Sequence, residues 1–384
     1  MNVVRPASDR STAAVPAELP SAPTVTAADL DVGWLGAALR LPTTGDGALT
    51  DVQIHRVGSD RGHLGSSYRA DLGYRGRPVG APRSVVVKLP AEGEKSLATA
   101  QRGRLYEREY RFFTELAPHT DVRSPACFAA GYDELTDTFA LVLEDVSSTV
   151  EVDQLTGCPV DLADLTLREL ARLHASWWGR EQLHAYGWLT TFASADRLAN
   201  LSGLMRTGWP ALCSLAEERL GPDARRVGQA VLEYLPRGLT ALDELPQTLV
   251  HGDPRLDNLM FDAGATRAPI VLLDWQNVSR GAAVSDVAYF LAQNLTVADL
   301  RAHGEDLLAR YHAELVAHGV TGYSLPDLSG ALRRALPVSF AVAASLAVLA
   351  DLTDPRVHEL AVGMGERALA AADQMGLLHD LRLA

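Results

Sequence analysis

The sequence predicts an α+β chain in two parts. A small N-terminal part is built on a five-stranded antiparallel sheet with one helix, and a larger C-terminal part is mainly helical and carries a β-hairpin. Three observations predict this. Strand patterns crowd residues 51–143, and apolar helical periodicity dominates after residue 160. Between the helices, residues 248–275 form an apolar–loop–apolar stretch with polar side chains at fixed spacing. With 384 residues the chain can bury a large core, and length alone suggests two lobes.

The elements follow in order. Residues 1–24 are rich in Pro, Ala, Ser and Thr and read as a disordered tail. The N-terminal part then runs over 25–146. A helix is predicted over 27–41, with Leu30, Trp34, Leu35 and Leu39 on one face. Strands are predicted at 52–57, 67–72 and 83–89, the last around the β-branched run Val85–Val87. A helix over 99–117 carries Leu105, Tyr106, Phe112, Phe113 and Leu116, and strands at 128–132 and 138–143 complete the sheet. The C-terminal part, 147–384, opens with a strong helix over 162–178 and closes with helices over 299–318, 328–350 and 355–377.

Composition narrows the function classes. A net charge of -13 argues against a nucleic-acid partner, whose footprint would be a basic patch. The three cysteines, Cys127, Cys158 and Cys213, form no CxxC pair, which speaks for a reduced compartment and against a zinc site. The first residues contain no apolar core of a secretory signal. The longest apolar run, 335–350, contains Pro337, Ser339 and Ser345 and reads as a buried helix rather than a membrane span. A cytoplasmic location is therefore expected, with no membrane partner; the oligomeric state is not legible.

The informative constellation is His251-Gly252-Asp253, Asn258 and Asp274, within LVHGDPRLDNLMFD and IVLLDWQNVSRGAAVSDVAYFL. An apolar run delivers one Asp into a loop, an Asn follows five residues later, and a hairpin returns a second Asp at a strand end. Phosphoryl transfer from a nucleotide needs this spacing of carboxylate, amide and carboxylate. A second signal lies upstream. Of 35 basic residues only Lys88 and Lys95 are lysine, so a Lys ending the Val85–Val87 strand is an informative exception.

These paired motifs resemble the aminoglycoside phosphotransferase and choline kinase-like superfamily, from about residue 50 to at least 295. The variant LLDWQ…G…DVAYFL is most similar to its ecdysteroid kinase-like branch. The resemblance implies a protein-kinase-like bilobal fold, Mg2+, and ATP or GTP as phosphate donor to a small-molecule hydroxyl. It implies Asp253 as the catalytic base, and Asn258 and Asp274 as magnesium ligands. Arg255 could stabilise charge on the transferred group, or be a surface Arg. Lys88 would meet the donor phosphates, paired with Glu109 in YEREYRFF; Glu107 is the competing partner, two residues earlier on a different helix face.

The loop 58–67, with Gly62, Gly65 and Ser66, would offer backbone amides to phosphates, although a plain hairpin loop is an equal reading of those residues alone. Glu144 to Val146 resembles the hinge whose backbone bonds the nucleobase. His251, His174 and Asp286 read as structural groups, Asp286 bonding the catalytic-loop backbone.

The expectation is a kinase acting on a hydroxyl of a metabolite, natural product or antibiotic. A nucleotide-binding pseudokinase is the alternative, and it predicts loss of the Lys, the base or the metal Asp, none of which is lost. A protein kinase is disfavoured because no APE-ended activation segment follows Asp274. The intact HGD loop disfavours nucleotidyl transfer. Antibiotic inactivation, self-resistance and ordinary metabolism stay open, as does the acceptor.

Overall fold

The computed structural model describes residues 15–19, 25–57, 64–191, 194–262 and 269–383. Its contacts divide into two compact units, changing at Asp145–Val146, with 121–123 belonging to the second.

The first unit contains β1 (Ala17–Glu18), α1 (Val32–Ala38), β2 (Leu49–Val57), β3 (Gly65–Tyr74), β4 (Ser84–Pro90), α2 (Glu94–Arg102), α3 (Leu105–Arg111), β5 (Cys127–Asp133) and β6 (Thr138–Glu144). The sheet has six strands in the order β1-β5-β6-β4-β3-β2, antiparallel except for β1, which runs parallel to β5. Burial alternates along β4. Val85, Val87 and Leu89 enter the core with Leu35 and Ala70, which leaves Val86 and Lys88 on the opposite face.

Two expectations are corrected in this unit. The sheet has a sixth strand, and it comes from the stretch read as a disordered tail. Leu19 buries itself in the sheet core and its amide bonds Ala130 O at 3.1 Å, beside Gly131, where a Cβ would meet the Leu19 side chain at 3.1 Å. The helix read over 99–117 is broken into α2 and α3, because Arg104 takes a left-handed φ of 50° directly after Gly103. In addition, Gly65 and Ser66 lie inside β3 rather than in a loop.

The second unit contains α4 (Val160–Trp177), α5 (Ala195–Leu215), α6 (Glu217–Leu220), α7 (Ala224–Asp243), β7 (Gln247–Val250), β8 (Leu259–Phe261), β9 (Ile270–Leu272), β10 (Ser279–Ala282), α8 (Val284–Asn294), α9 (Val297–Ala317), α10 (Leu325–Ala335), α11 (Pro337–Leu349), α12 (Pro355–Gln374) and α13 (Leu377–Asp380). The helix read over 328–350 is two helices, because Pro337 starts α11 and removes the amide that would continue α10. Residues 325–349 are apolar and long enough to cross a membrane by length and composition alone. In the fold α11 packs on α5, α7 and α12 and buries Phe340, Ala341, Ala343 and Ala344.

Two small antiparallel ladders interrupt the helices. β7 pairs with β10, and β8 pairs with β9. The loop between β7 and β8 holds His251 to Asn258, and the turn after β9 holds Asp274. Beneath both runs α8, whose eleven residues are all buried.

Candidate active site

The loop after β7 is short and heavily tied. Gly252 has φ 83°, and a Cβ there would fall 2.3 Å from the Asn277 carbonyl oxygen. Only glycine meets both demands. The amides of His251 and Gly252 both donate to Asp286 on α8, at 2.7 Å to Oδ2 and 2.9 Å to Oδ1. Asp286 is itself buried. Burial pushes its pKa up, but the hydrogen bonds from His174 and the Gly252 amide outweigh that and hold it below the usual value.

Behind Asp286 stands His174 of α4, fully buried. Its Nε2 lies 3.2 Å from Asp286 Oδ2 and its Nδ1 2.8 Å from the Tyr311 hydroxyl. His251 stacks against Trp275 at 4.7 Å between ring centroids. Its Nε2 donates to Leu273 O at 2.8 Å, which leaves Nδ1 to accept from the Asp253 amide at 3.3 Å. Both histidines therefore serve as struts.

Asp253 is presented from this frame. Its Oδ1 accepts from the Tyr289 hydroxyl at 2.7 Å, and Arg255 Nε lies 3.8 Å from its Oδ2. Arg255 Nε is also 3.8 Å from Asp257 Oδ2. The carboxylates of Asp253, Asp257 and Asp274 around it drive its pKa above the ordinary arginine value despite desolvation. Asn258 sits in the short 3-10 turn that ends the loop, and its Nδ2 donates to Asp253 O at 2.9 Å. Asn294, at the C-terminal end of α8, holds the middle of the loop. Its Oδ1 accepts from Leu256 N at 3.0 Å, and its Nδ2 donates to Pro254 O at 3.2 Å.

Asp274 follows β9 in the left-handed region, φ 58° and ψ 76°. Such a backbone costs a non-glycine residue roughly 1 kcal/mol or more and persists where surrounding structure enforces it. Here the Leu273 amide bonds Asn258 O at 2.9 Å, which links the two metal-ligand candidates through backbone.

Their chemistry fits a hard divalent ion. With its Nδ2 committed to Asp253 O, Asn258 keeps its amide oxygen as a neutral donor, and Asp274 supplies a carboxylate. Among the described residues no group of three or more His, Cys, Asp or Glu side chains comes together as a metal cage.

In the first unit two of the expected residues are paired. Lys88 Nζ lies 2.5 Å from Glu109 Oε1, with Glu109 fully buried. Glu107 is engaged elsewhere, with Arg104 at 2.7 Å and Arg111 at 2.8 Å. Ser66 is buried in β3 beside Gly65. Glu144 ends β6, where its Oε2 accepts from Ala126 N, and Asp145 is held by Arg69 and Ser84. Val146 opens the second unit, packed on Met260 and Val271. Gly62 lies outside the described residues.

The model of the ecdysteroid kinase-like family matches residues 63–320. The chain belongs to the ecdysteroid kinase-like family. Solved structures agree on the fold. A candidate aminoglycoside phosphotransferase from Ralstonia eutropha aligns over 88% of this chain and 97% of its own, at 19% identity and a TM-score of 0.54. Choline kinase from Cryptosporidium parvum covers 86% of this chain and 91% of its own, at 10% identity and TM-score 0.52. Aminoglycoside 2'-phosphotransferase-IIIa in its GDP complex covers 84% and 94%, at 14% identity and TM-score 0.51. The ecdysteroid kinase-like chain thus has the α+β fold of small-molecule kinases. One curated relative, the Arabidopsis thaliana protein named "Probable acyl-CoA dehydrogenase IBR3", is 26% identical over 199 residues, which is 49% of this chain and only 23% of that protein.

Sequence reasoning missed Tyr289 and Asn294. The available signal was helical spacing. Once Asp286 is placed under the loop, positions three and eight residues later fall on the same helix face.

Proposed function

We propose that the protein is a small-molecule O-phosphotransferase that moves the γ-phosphate of ATP or GTP to an alcohol. The observation that carries this reading is the presentation of Asp253, a carboxylate clamped by Tyr289 on a backbone held by Asp286, next to Asn258 and Asp274. A scaffold role alone would not require an acceptor-only group to be oriented with such redundancy.

In this reading the acceptor hydroxyl oxygen forms a bond to Pγ as the bond from Pγ to the β–γ bridging oxygen breaks, and nucleoside diphosphate departs. Asp253 aligns the hydroxyl and accepts its proton late in the transfer, later passing it to solvent. Asn258 and Asp274 would hold magnesium, which when bound neutralises charge on the donor phosphates. Arg255 keeps positive charge beside the base and is suited to stabilise charge on the transferred group. Lys88, oriented by Glu109, would meet the donor phosphates as a point charge; Gly62, Gly65 and Ser66 would offer amides, and Glu144 to Val146 the base-bonding backbone. A nucleotide donor and scarce cysteine suit the cytoplasm, and the acidic chain suits a small-molecule acceptor rather than nucleic acid.

The test is mass spectrometry of a mixed pool of hydroxylated metabolites and antibiotics, incubated with magnesium and ATP or GTP, with Asp253→Ala as control. A phosphorylated species formed only by the wild type supports the reading and names the acceptor class. A product carrying a nucleoside monophosphate would replace it with nucleotidyl transfer. Nucleotide binding with no product from any acceptor would favour a pseudokinase.

A further inference from the structure

We propose that Tyr289 is a positioning residue for Asp253: its hydroxyl fixes one carboxylate oxygen so that the other is presented to the acceptor. The inference rests on the assignment of Asp253 as base. Tyr289 is buried on α8, one helical turn beyond Asp286. Its hydroxyl has one proton to give and gives it to Asp253 Oδ1 at 2.7 Å. Burial, and then the charge of Asp253, push the Tyr289 pKa well above its ordinary value, so the phenol stays a donor at any working pH.

The rest of the loop is held without Tyr289. Asp286 takes the amides of His251 and Gly252, Asn258 bonds Asp253 O, and Asn294 bonds Pro254 O and Leu256 N. Backbone placement and side-chain placement are therefore separate. Five hydrogen bonds set where Asp253 stands; the Tyr289 bond sets where its carboxylate points. With Oδ1 occupied, Oδ2 is the oxygen left for an incoming hydroxyl, on the side where Arg255 lies at 3.8 Å. α8 thus acts as a ruler, its Asp286 and Asn294 aligning the loop and its Tyr289 aligning the base.

The separation gives a kinetic signature. Tyr289→Phe keeps the ring and the packing and removes only the hydroxyl. The experiment measures kcat and KM for MgATP with the acceptor found in the pool, and inorganic phosphate release with water as acceptor. MgATP affinity is read separately by displacement of a fluorescent nucleotide, and Asp253→Asn runs alongside. The expected result is a kcat about tenfold lower in Tyr289→Phe for either acceptor, with MgATP affinity within about twofold of wild type. A kcat within about twofold of wild type overturns the inference, and so does a loss of nucleotide affinity that matches the loss of kcat. An inactive Asp253→Asn beside a fully active Tyr289→Phe would overturn this inference alone. An active Asp253→Asn would remove the base assignment and the inference with it.

Discussion

The two units hold their candidate polar groups in different ways. In the first, a strand of apolar alternation carries a single lysine, and one buried glutamate answers it. In the second, α8 supplies an Asp, a Tyr and an Asn to one loop, and α4 adds a histidine behind the Asp. The first is a pair whose position is set by sheet register and helix packing. The second is a polar network in which side chains of one buried helix hold several backbone groups of a tight loop. A point charge needs little direction to act on phosphate, whereas a group that aligns a hydroxyl must be held in angle as well as place.

The contrast is broken most severely at the base. Asp253→Ala should lower phosphotransfer by about 10²–10⁴-fold while nucleotide affinity stays near wild type. Steady-state kinetics with parallel nucleotide binding checks this. If both fell together, Asp253 would belong to the binding machinery and the division between the units would fail.

Next in size is the support beneath the loop. Asp286→Asn removes a buried carboxylate that two amides and His174 share, and should destabilise the protein by about 3–5 kcal/mol in urea unfolding. The pH dependence has a definite sign. Because the folded pKa of Asp286 is depressed below 3.8, its stabilisation is fully present above that value and is lost as pH falls through the lower folded pKa. The wild type should lose stability over this acid range more steeply than the Asn variant.

The metal site comes third. Asparagine tolerates the left-handed backbone at position 274, so Asp274→Asn removes charge without forcing the turn. Nucleotide affinity in magnesium should fall by about 10–100-fold, with no comparable change in a chelator. Equal loss in both conditions would mean that the turn, not the metal, was damaged.

Smallest is the pair in the first unit. Lys88→Met should raise the nucleotide KM by about tenfold and also lower the melting temperature, because it leaves the fully buried Glu109 carboxylate without its partner at 2.5 Å. An unchanged nucleotide KM beside a lowered melting temperature would show that the pair only supports the fold of the first unit.

The same contrast governs what the sequence revealed. Asp253, Asn258 and Asp274 are legible because a loop and a hairpin place them by spacing within 22 residues, 253–274. Lys88 and Glu109 are legible because strand alternation and a helix face fix their directions. The partners of the loop are harder to see. Tyr289 and Asn294 lie 36 and 38 residues from the groups they hold, in a helix whose apolar surroundings mark it as core. The sixth strand was hidden for a similar reason. Two residues, Ala17 and Glu18, carry no strand period, and their parallel partner lies more than a hundred residues away. The helix read over 99–117 runs straight through Gly103 and Arg104, because the apolar residues Leu105 to Leu116 carry its pattern and nothing in it marks the left-handed backbone of Arg104.

The most direct test of the central claim follows γ-phosphate transfer by rapid quench, with wild type and Asp253→Asn each loaded with magnesium and radiolabelled nucleotide. Both should bind nucleotide alike, and only the wild type should deliver phosphate to an acceptor hydroxyl. Transfer by Asp253→Asn at the wild-type rate would contradict that claim.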